Sequence, residues 1–133
     1  MLRTFFKSKI HRAVITQAEL HYEGSCTIDL DLMDAAGLLS YEQIAIVNIN
    51  NGERFETYVI PGERGSKTIC LNGAAARKGQ PGDRVIIISY ALLREDEIEG
   101  FEPTIILVDE TNSIVEKSHA VEAHRIVPGS SAS

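Results

Sequence analysis

"QIAIVNINNGERFETYVI", residues 43–60, sets two apolar, β-branched runs on either side of the pair Asn51-Gly52. Asn-Gly is a strong signal for a two-residue hairpin turn, because both central positions must accept positive φ. The stretch therefore predicts 43–49 and 54–60 as antiparallel neighbours. With 53–58 extended, Arg54, Glu56 and Tyr58 share one face and Thr57 points to the other.

The same period extends outward. "RAVITQAEL" (12–20) and "SCTIDLDL" (25–32) alternate as half-buried strands do, and "VIIISYALL" (85–93) reads as a buried central strand. "DLMDAAGLL" (31–39) predicts a short helix with Asp31 as N-cap and Gly37 near its end. "PGERGSK" (61–67) is a glycine-rich loop. "TICLNGAAARKGQPGDRV" (68–85) then gives a strand, an Asn72-Gly73 turn, one helical turn of alanines and a Pro81-Gly82-Asp83 turn. "TIILVDETNSIVEK" (104–117) reads as a hairpin around Thr111-Asn112-Ser113, and "PGSSAS" (128–133) as a disordered tail. Many short strands, tight turns and short helices predict a mainly β fold closed into a small barrel, since closure removes exposed edges.

With 133 residues there is room for one domain, 1–133, with a real core. The composition, 44% hydrophobic and 24% charged, is that of a globular protein, and no apolar run is long enough to span a bilayer. No membrane association is expected. "MLRTFFKSKIHRAVIT" is broken by Lys7, Lys9, His11 and Arg12, so it reads as part of the fold of a cytoplasmic protein rather than as a signal peptide. A net charge of -6 argues against nucleic acid as a partner, which calls for a basic face. Cys26 and Cys70 form no CxxC pair, and the histidines His11, His21, His119 and His124 are scattered, so no metal is expected. HExxH, GxSxG and GxxxxGK[ST] are all absent.

One short stretch stands out chemically. "HYEGSCTID" (21–29) sets Gly24 before Ser25. As an isolated dipeptide this is an ordinary turn, in which Gly supplies an unusual φ and Ser bonds its own backbone. That is the ordinary reading of a Gly-Ser pair; a reactive backbone is the other, and the dipeptide alone does not establish it.

The ordered blocks "KSKIHRA" (7–13), "LHYEGSCTID" (20–29), "LMDAAGLL" (32–39), "NNGERFETYVIPGERGS" (50–66), "NGAAA" (72–76) and "PGDRVIIISYA" (81–91) resemble the pyruvoyl-dependent aspartate 1-decarboxylases over roughly residues 1–93. The resemblance implies a double-psi β-barrel, assembled as a homotetramer with active sites between neighbouring subunits. It implies an inactive proenzyme that cuts itself between Gly24 and Ser25, giving a β chain 1–24 and an α chain 25–133. Ser25 becomes a pyruvoyl group, and Thr57 and Asn72 assist.

That ketone would form an imine (Schiff base) with the amine of L-aspartate and act as electron sink in place of pyridoxal phosphate or a metal. The reaction implied is L-aspartate to β-alanine and CO₂, feeding pantothenate and coenzyme A synthesis. By the same resemblance Tyr58 returns the proton to Cα, and Lys9, Arg54, Thr57, Gly73, Ala74 and Ala75 bind substrate. Arg54 suits that part because its planar fork matches a carboxylate. Phe5-Phe6, Val47 and Arg77 depart from common family residues at positions of packing or pocket rim. Two other readings stay open: a non-enzymatic β-barrel binding module, and a pyruvoyl enzyme for another amino acid. The sequence also leaves open whether a maturation factor is needed.

Overall fold

The computed structural model describes residues 1–121. In chain order the elements are β1 (Leu2–Val14), β2 (Gln17–Glu19), β3 (Ser25–Asp29), α1 (Leu30–Ala36), β4 (Gln43–Asn48), β5 (Arg54–Gly62), β6 (Ile69–Asn72), a 3-10 turn (Gly73–Arg77), β7 (Arg84–Arg94), α2 (Glu95–Ile98), β8 (Thr104–Val108) and β9 (Ile114–Ser118). The fold is mainly β, as the sequence predicts. No helix among the described residues is long and apolar enough to cross a membrane. The tail 128–133 and His124 lie outside the described residues.

The strands make one mixed sheet in the order β2-β6-β3-β5-β4-β7-β1-β8-β9. Its connectivity forces it to curl. β1 and β2 stand six places apart in that order, yet only Ile15 and Thr16 join them. In a flat sheet they would lie about 29 Å apart, whereas three peptide links reach about 11 Å. The β1–β2 run, β6, β3, β5, β4 and β7 therefore close into a ring, with β8 and β9 added beyond β1. Thr16 fastens the seam: its N–H reaches the Ile69 carbonyl at 2.8 Å, and its hydroxyl accepts from the Ile69 N–H at 3.0 Å.

Inside the ring Ile10, Ile28, Ile46, Val59, Leu71, Val85 and Ile87 are fully buried. Each contributes roughly 1.5–3 kcal/mol by leaving water. The two runs pair antiparallel as expected, but with Ile46 opposite Phe55 and Val47 opposite Arg54, two residues from the register a two-residue turn would set. Its turn is longer than the two residues expected. Only Gly52 of the Asn-Gly pair has positive φ (77°), and its N–H bonds the Asn48 carbonyl at 2.9 Å. The Asn48 side chain accepts from the N–H groups of Asn50 and Asn51 at 2.8 and 3.3 Å, which widens the loop to 49–53. β7 lies inside the sheet as expected, but only its first half is buried. Leu92 is 63% exposed, because the strand runs on past the core.

Two further expectations are corrected. "RAVITQAEL" is not one strand: β1 starts at Leu2, and Ile15-Thr16 separates it from β2. "SCTIDLDL" stops being a strand at Asp29, and it is Asp29 rather than Asp31 that caps α1. The buried Asp29 carboxylate accepts from the N–H of Asp31 at 2.8 Å, of Gly65 at 3.0 Å and of Lys67 at 2.7 Å. It thus caps the helix and shapes the 63–68 loop together. Asp29→Ala leaves three backbone donors without that acceptor, and is expected to cost about 2–4 kcal/mol of unfolding free energy in urea titration. Asp29→Asn, which keeps an acceptor oxygen, is expected to recover part of it.

Candidate active site

Ser25 opens β3 and stands opposite Asn72, the last residue of the antiparallel neighbour β6. The next pair inward, Cys26 and Leu71, is fully buried in the core. By strand alternation Ser25 and Thr27, with Cys70 and Asn72 across from them, share the opposite face. The Asn72 amide joins all four. Its Nδ2 donates to Ser25 Oγ at 2.9 Å and to Thr27 Oγ1 at 2.9 Å, while its Oδ1 accepts from the Cys70 thiol at 3.1 Å. This partner set assigns the amide orientation, because a thiol donates to oxygen and both hydroxyls can accept from nitrogen. The Ser25 hydroxyl donates in turn to the Glu23 carbonyl at 3.2 Å. Ser25 is only 4% exposed and Asn72 only 5%, so this is a buried nucleophile with its oxygen held in place.

Cys26, adjacent to Ser25, is fully buried, and burial, with Cys70 adding, pushes its thiol far above the ordinary range. It stays neutral and unreactive. Burial, with Glu19 adding, also raises the Cys70 thiol, which keeps its proton available for Asn72.

Gly24 does not adopt the left-handed φ that the turn reading gave it; that conformation belongs to Gly73, at φ 66°. A Cβ on Gly73 would lie 2.7 Å from Gly24 Cα, 2.7 Å from Gly24 N and 2.9 Å from Tyr22 O. The missing side chain lets two backbones meet at the residue before Ser25. Asn72 stands at the N-cap of the 3-10 turn but makes no side-chain cap bond, its amide being turned to Ser25 and Thr27 instead. Beyond it Ala74 is exposed and Ala75 half-buried.

β5 runs parallel to β3 with Val59 opposite Cys26. Extending that register sets Tyr58 beside Ser25 and Thr57 beside Gly24. Val59 is buried in the core, so alternation turns Tyr58, Glu56 and Arg54 outward with Ser25 and sends Thr57 to the other face, as the sequence predicts. The Tyr58 ring lies against Tyr41, centroids 6.4 Å apart. Arg54 gives Nη2 to Tyr90 Oη at 2.8 Å and pairs with no carboxylate among the described residues. Lys9 stands on β1 with its ammonium 4.5 Å from the Phe6 ring centre.

No hydrogen bond joins Lys9, Arg54 or Tyr58 to Ser25 or Asn72 within the chain. Arg77 lines a separate polar surface pocket with Asn50, Asn51, Gln80 and Asp83. Among the described residues no three His, Cys, Asp or Glu side chains group as metal ligands would.

Sequence reading missed Thr27 and Cys70. Each stands two residues from an anticipated site residue, and that spacing was the available signal: on adjacent strands, i and i+2 share a face.

Fold and site define a class: a closed β protein in which a buried serine hydroxyl, directly after a glycine, is held by an asparagine amide from the next strand. The family model described as "Aspartate decarboxylase" matches residues 1–115. Curated proteins named "Aspartate 1-decarboxylase" match at 61% identity in Leptospira biflexa serovar Patoc (84% of this chain, 96% of that protein) and 60% in Caldicellulosiruptor saccharolyticus (92% and 95%). The protein of that name from Bacillus cereus strain B4264 is 55% identical (96% of this chain, 100% of that protein). The chain belongs to the aspartate decarboxylase family.

Proposed function

We propose that this chain is made as a precursor, cuts itself between Gly24 and Ser25, and then converts L-aspartate to β-alanine and CO₂ in the cytoplasm, supplying pantothenate synthesis. The single observation that carries the reading is the 2.9 Å bond from Asn72 Nδ2 to Ser25 Oγ, immediately after a glycine. That bond fixes one rotamer of the hydroxyl, which is what attack on the preceding carbonyl requires. Ser25 Oγ adds to the Gly24 carbonyl carbon, the Gly24–Ser25 C–N bond breaks, and the hydroxyl proton passes to the freed nitrogen, leaving an ester. Loss of the Ser25 Cα proton then expels Gly24 as a carboxylate, ending chain 1–24. Water replaces the nitrogen of the resulting dehydroalanine, releasing ammonia and leaving a pyruvoyl group at the head of chain 25–133.

The surrounding residues fit such a group. Oγ departs with Gly24, so the Asn72 N–H that held it becomes available to the new group or its substrate, and Gly73 lets the Gly24 backbone lie against it. Once formed, the ketone supplies an electron sink for the carbon that loses CO₂. Tyr58, aligned with Ser25 on the outward face, holds the proton delivered to Cα. Asn72 assists the cleavage from the face of Ser25 and Thr57 from its place beside Gly24, and Thr57, Gly73, Ala74 and Ala75 line the substrate position. Arg54, bonded among the described residues to the Tyr90 hydroxyl and to no carboxylate, offers its charge to the substrate's second carboxylate. Lys9 and Arg54 make no hydrogen bond to Ser25 within one chain, and in the homotetramer proposed here a neighbouring copy completes each site. A maturation factor, if used, would act on the exposed 21–24 segment.

Release of CO₂ from aspartate beside glutamate, ornithine and arginine tests the substrate. Release from aspartate alone is expected. Turnover of another amino acid in preference would make this a different pyruvoyl enzyme, and no turnover at all would leave a binding module. Arg54→Ala is expected to raise KM for aspartate about 10- to 100-fold, the scale of one lost charge-assisted bond, with Arg54→Lys intermediate.

A further inference from the structure

We infer that Cys70 is a positioning residue for the self-cleavage: its thiol sets the orientation of the Asn72 amide that holds Ser25. The inference rests on the cleavage reading above and adds a residue to it.

A side-chain amide can take either of two orientations related by a flip, and only one of them aims nitrogen at Ser25 Oγ. Nδ2 has two N–H groups and spends both, on Ser25 and Thr27, each at 2.9 Å. Both of those partners are hydroxyls, which accept or donate equally well. Thr27 therefore does not resist a flip that would turn Oδ1 toward the hydroxyls, while Ser25 would have to give up its bond to the Glu23 carbonyl to donate to it. The described group that meets Oδ1 itself is the Cys70 thiol, 3.1 Å away. A donor at position 70 satisfies Oδ1 in this orientation, whereas a flipped amide would turn its two N–H groups toward one atom that cannot accept both.

Cys70 is 5% exposed and stands two residues before Asn72 on β6, so both side chains leave the same face of the strand. Burial and Glu19 keep the thiol protonated, as a donor must be. The opposite orientation would present the amide oxygen to Ser25 Oγ. That oxygen would take the serine's hydrogen bond from the Glu23 carbonyl and leave no N–H beside the Gly24–Ser25 link, where the carbonyl oxygen gains negative charge as Ser25 attacks. Cys70 touches neither Ser25 nor Gly24; it acts through Asn72.

The test compares the cleavage rates of full-length Cys70→Ser and Cys70→Ala with wild type, by following conversion of uncut chain on denaturing gels. Both substitutions remove the sulfur and leave a similar gap, so their ratio reports the donor rather than packing or folding. Cys70→Ser is expected to cleave within about threefold of wild type, and Cys70→Ala at least about tenfold more slowly than Cys70→Ser. Equal rates for the two variants, fast or slow, would overturn the inference. An uncleaved wild type would instead overturn the cleavage reading itself.

Discussion

Ser25→Ala is expected to give a folded, full-length chain that releases no CO₂ from L-aspartate. The substitution removes one oxygen from a side chain that is 4% exposed, opens little space, and leaves the Cys26 and Leu71 packing beneath it untouched. Asn72 keeps Thr27 and Cys70 as partners, so the loss in stability is held to about 1 kcal/mol, one neutral hydrogen bond. The chemistry is lost entirely, since alanine has no hydroxyl to attack the Gly24 carbonyl and no oxygen to eliminate. Cys26 is buried, on the opposite face of the strand, and held as a neutral thiol. A single band on a denaturing gel, a melting temperature within a few degrees of wild type and no turnover are the expected readings. Turnover by this variant would mean the electron sink is not made from Ser25.

Gly73→Ala is expected to have the second largest effect, through geometry alone. The added Cβ would lie 2.7 Å from both Gly24 Cα and Gly24 N, backbone atoms that cannot swing aside as a flexible side-chain end can. The φ of 66° adds strain of about 1–2 kcal/mol for a residue with a Cβ. The chain must move Gly24 away from Gly73, which displaces the carbonyl that Ser25 has to reach. Misplacement of this order costs about 100-fold in rate. Cleavage slowed to that extent, with secondary structure by circular dichroism unchanged, is the expected pair of results. Gly24→Ala serves as the comparison: nothing lies within 4 Å of a Cβ at that position, so its effect on stability is expected to be smaller.

What could be read from the sequence follows from where the decisive contacts lie. The 43–60 hairpin and the faces of its strands were legible, because alternation and a glycine with positive φ are both local. Its loop length was not, because the Asn48 side chain competes for the turn's N–H groups. The end of β3 was obscured for a similar reason. In "SCTIDLDL" apolar residues continue at every second position through Leu32, and Asp29 is fixed as the cap by N–H groups of Gly65 and Lys67 more than thirty residues away. Ring closure turns on two residues, Ile15 and Thr16, that look like the middle of a strand.

Within the site, the shared face of Arg54, Glu56 and Tyr58 could be derived from period alone. The pairing of Ser25 with Asn72 could not, because 47 residues separate them and only the β3–β6 register joins them. Thr27 and Cys70 come with that register. The dipeptide Gly24-Ser25 carried no decision by itself. Its place opposite an asparagine amide, with Gly73 pressed against Gly24, gives it a chemical sense.

The most direct measurement is the intact mass of the purified protein, taken on the same sample that is assayed with aspartate. Two polypeptides are expected: 1–24 ending in a free Gly24 carboxylate, and a chain 25–133 lighter by one ammonia than a chain beginning with serine, blocked to Edman degradation and reactive toward hydrazines. A protein that decarboxylates aspartate while its mass remains that of the uncut 133-residue chain, or whose larger fragment begins with an intact Ser25, would contradict it.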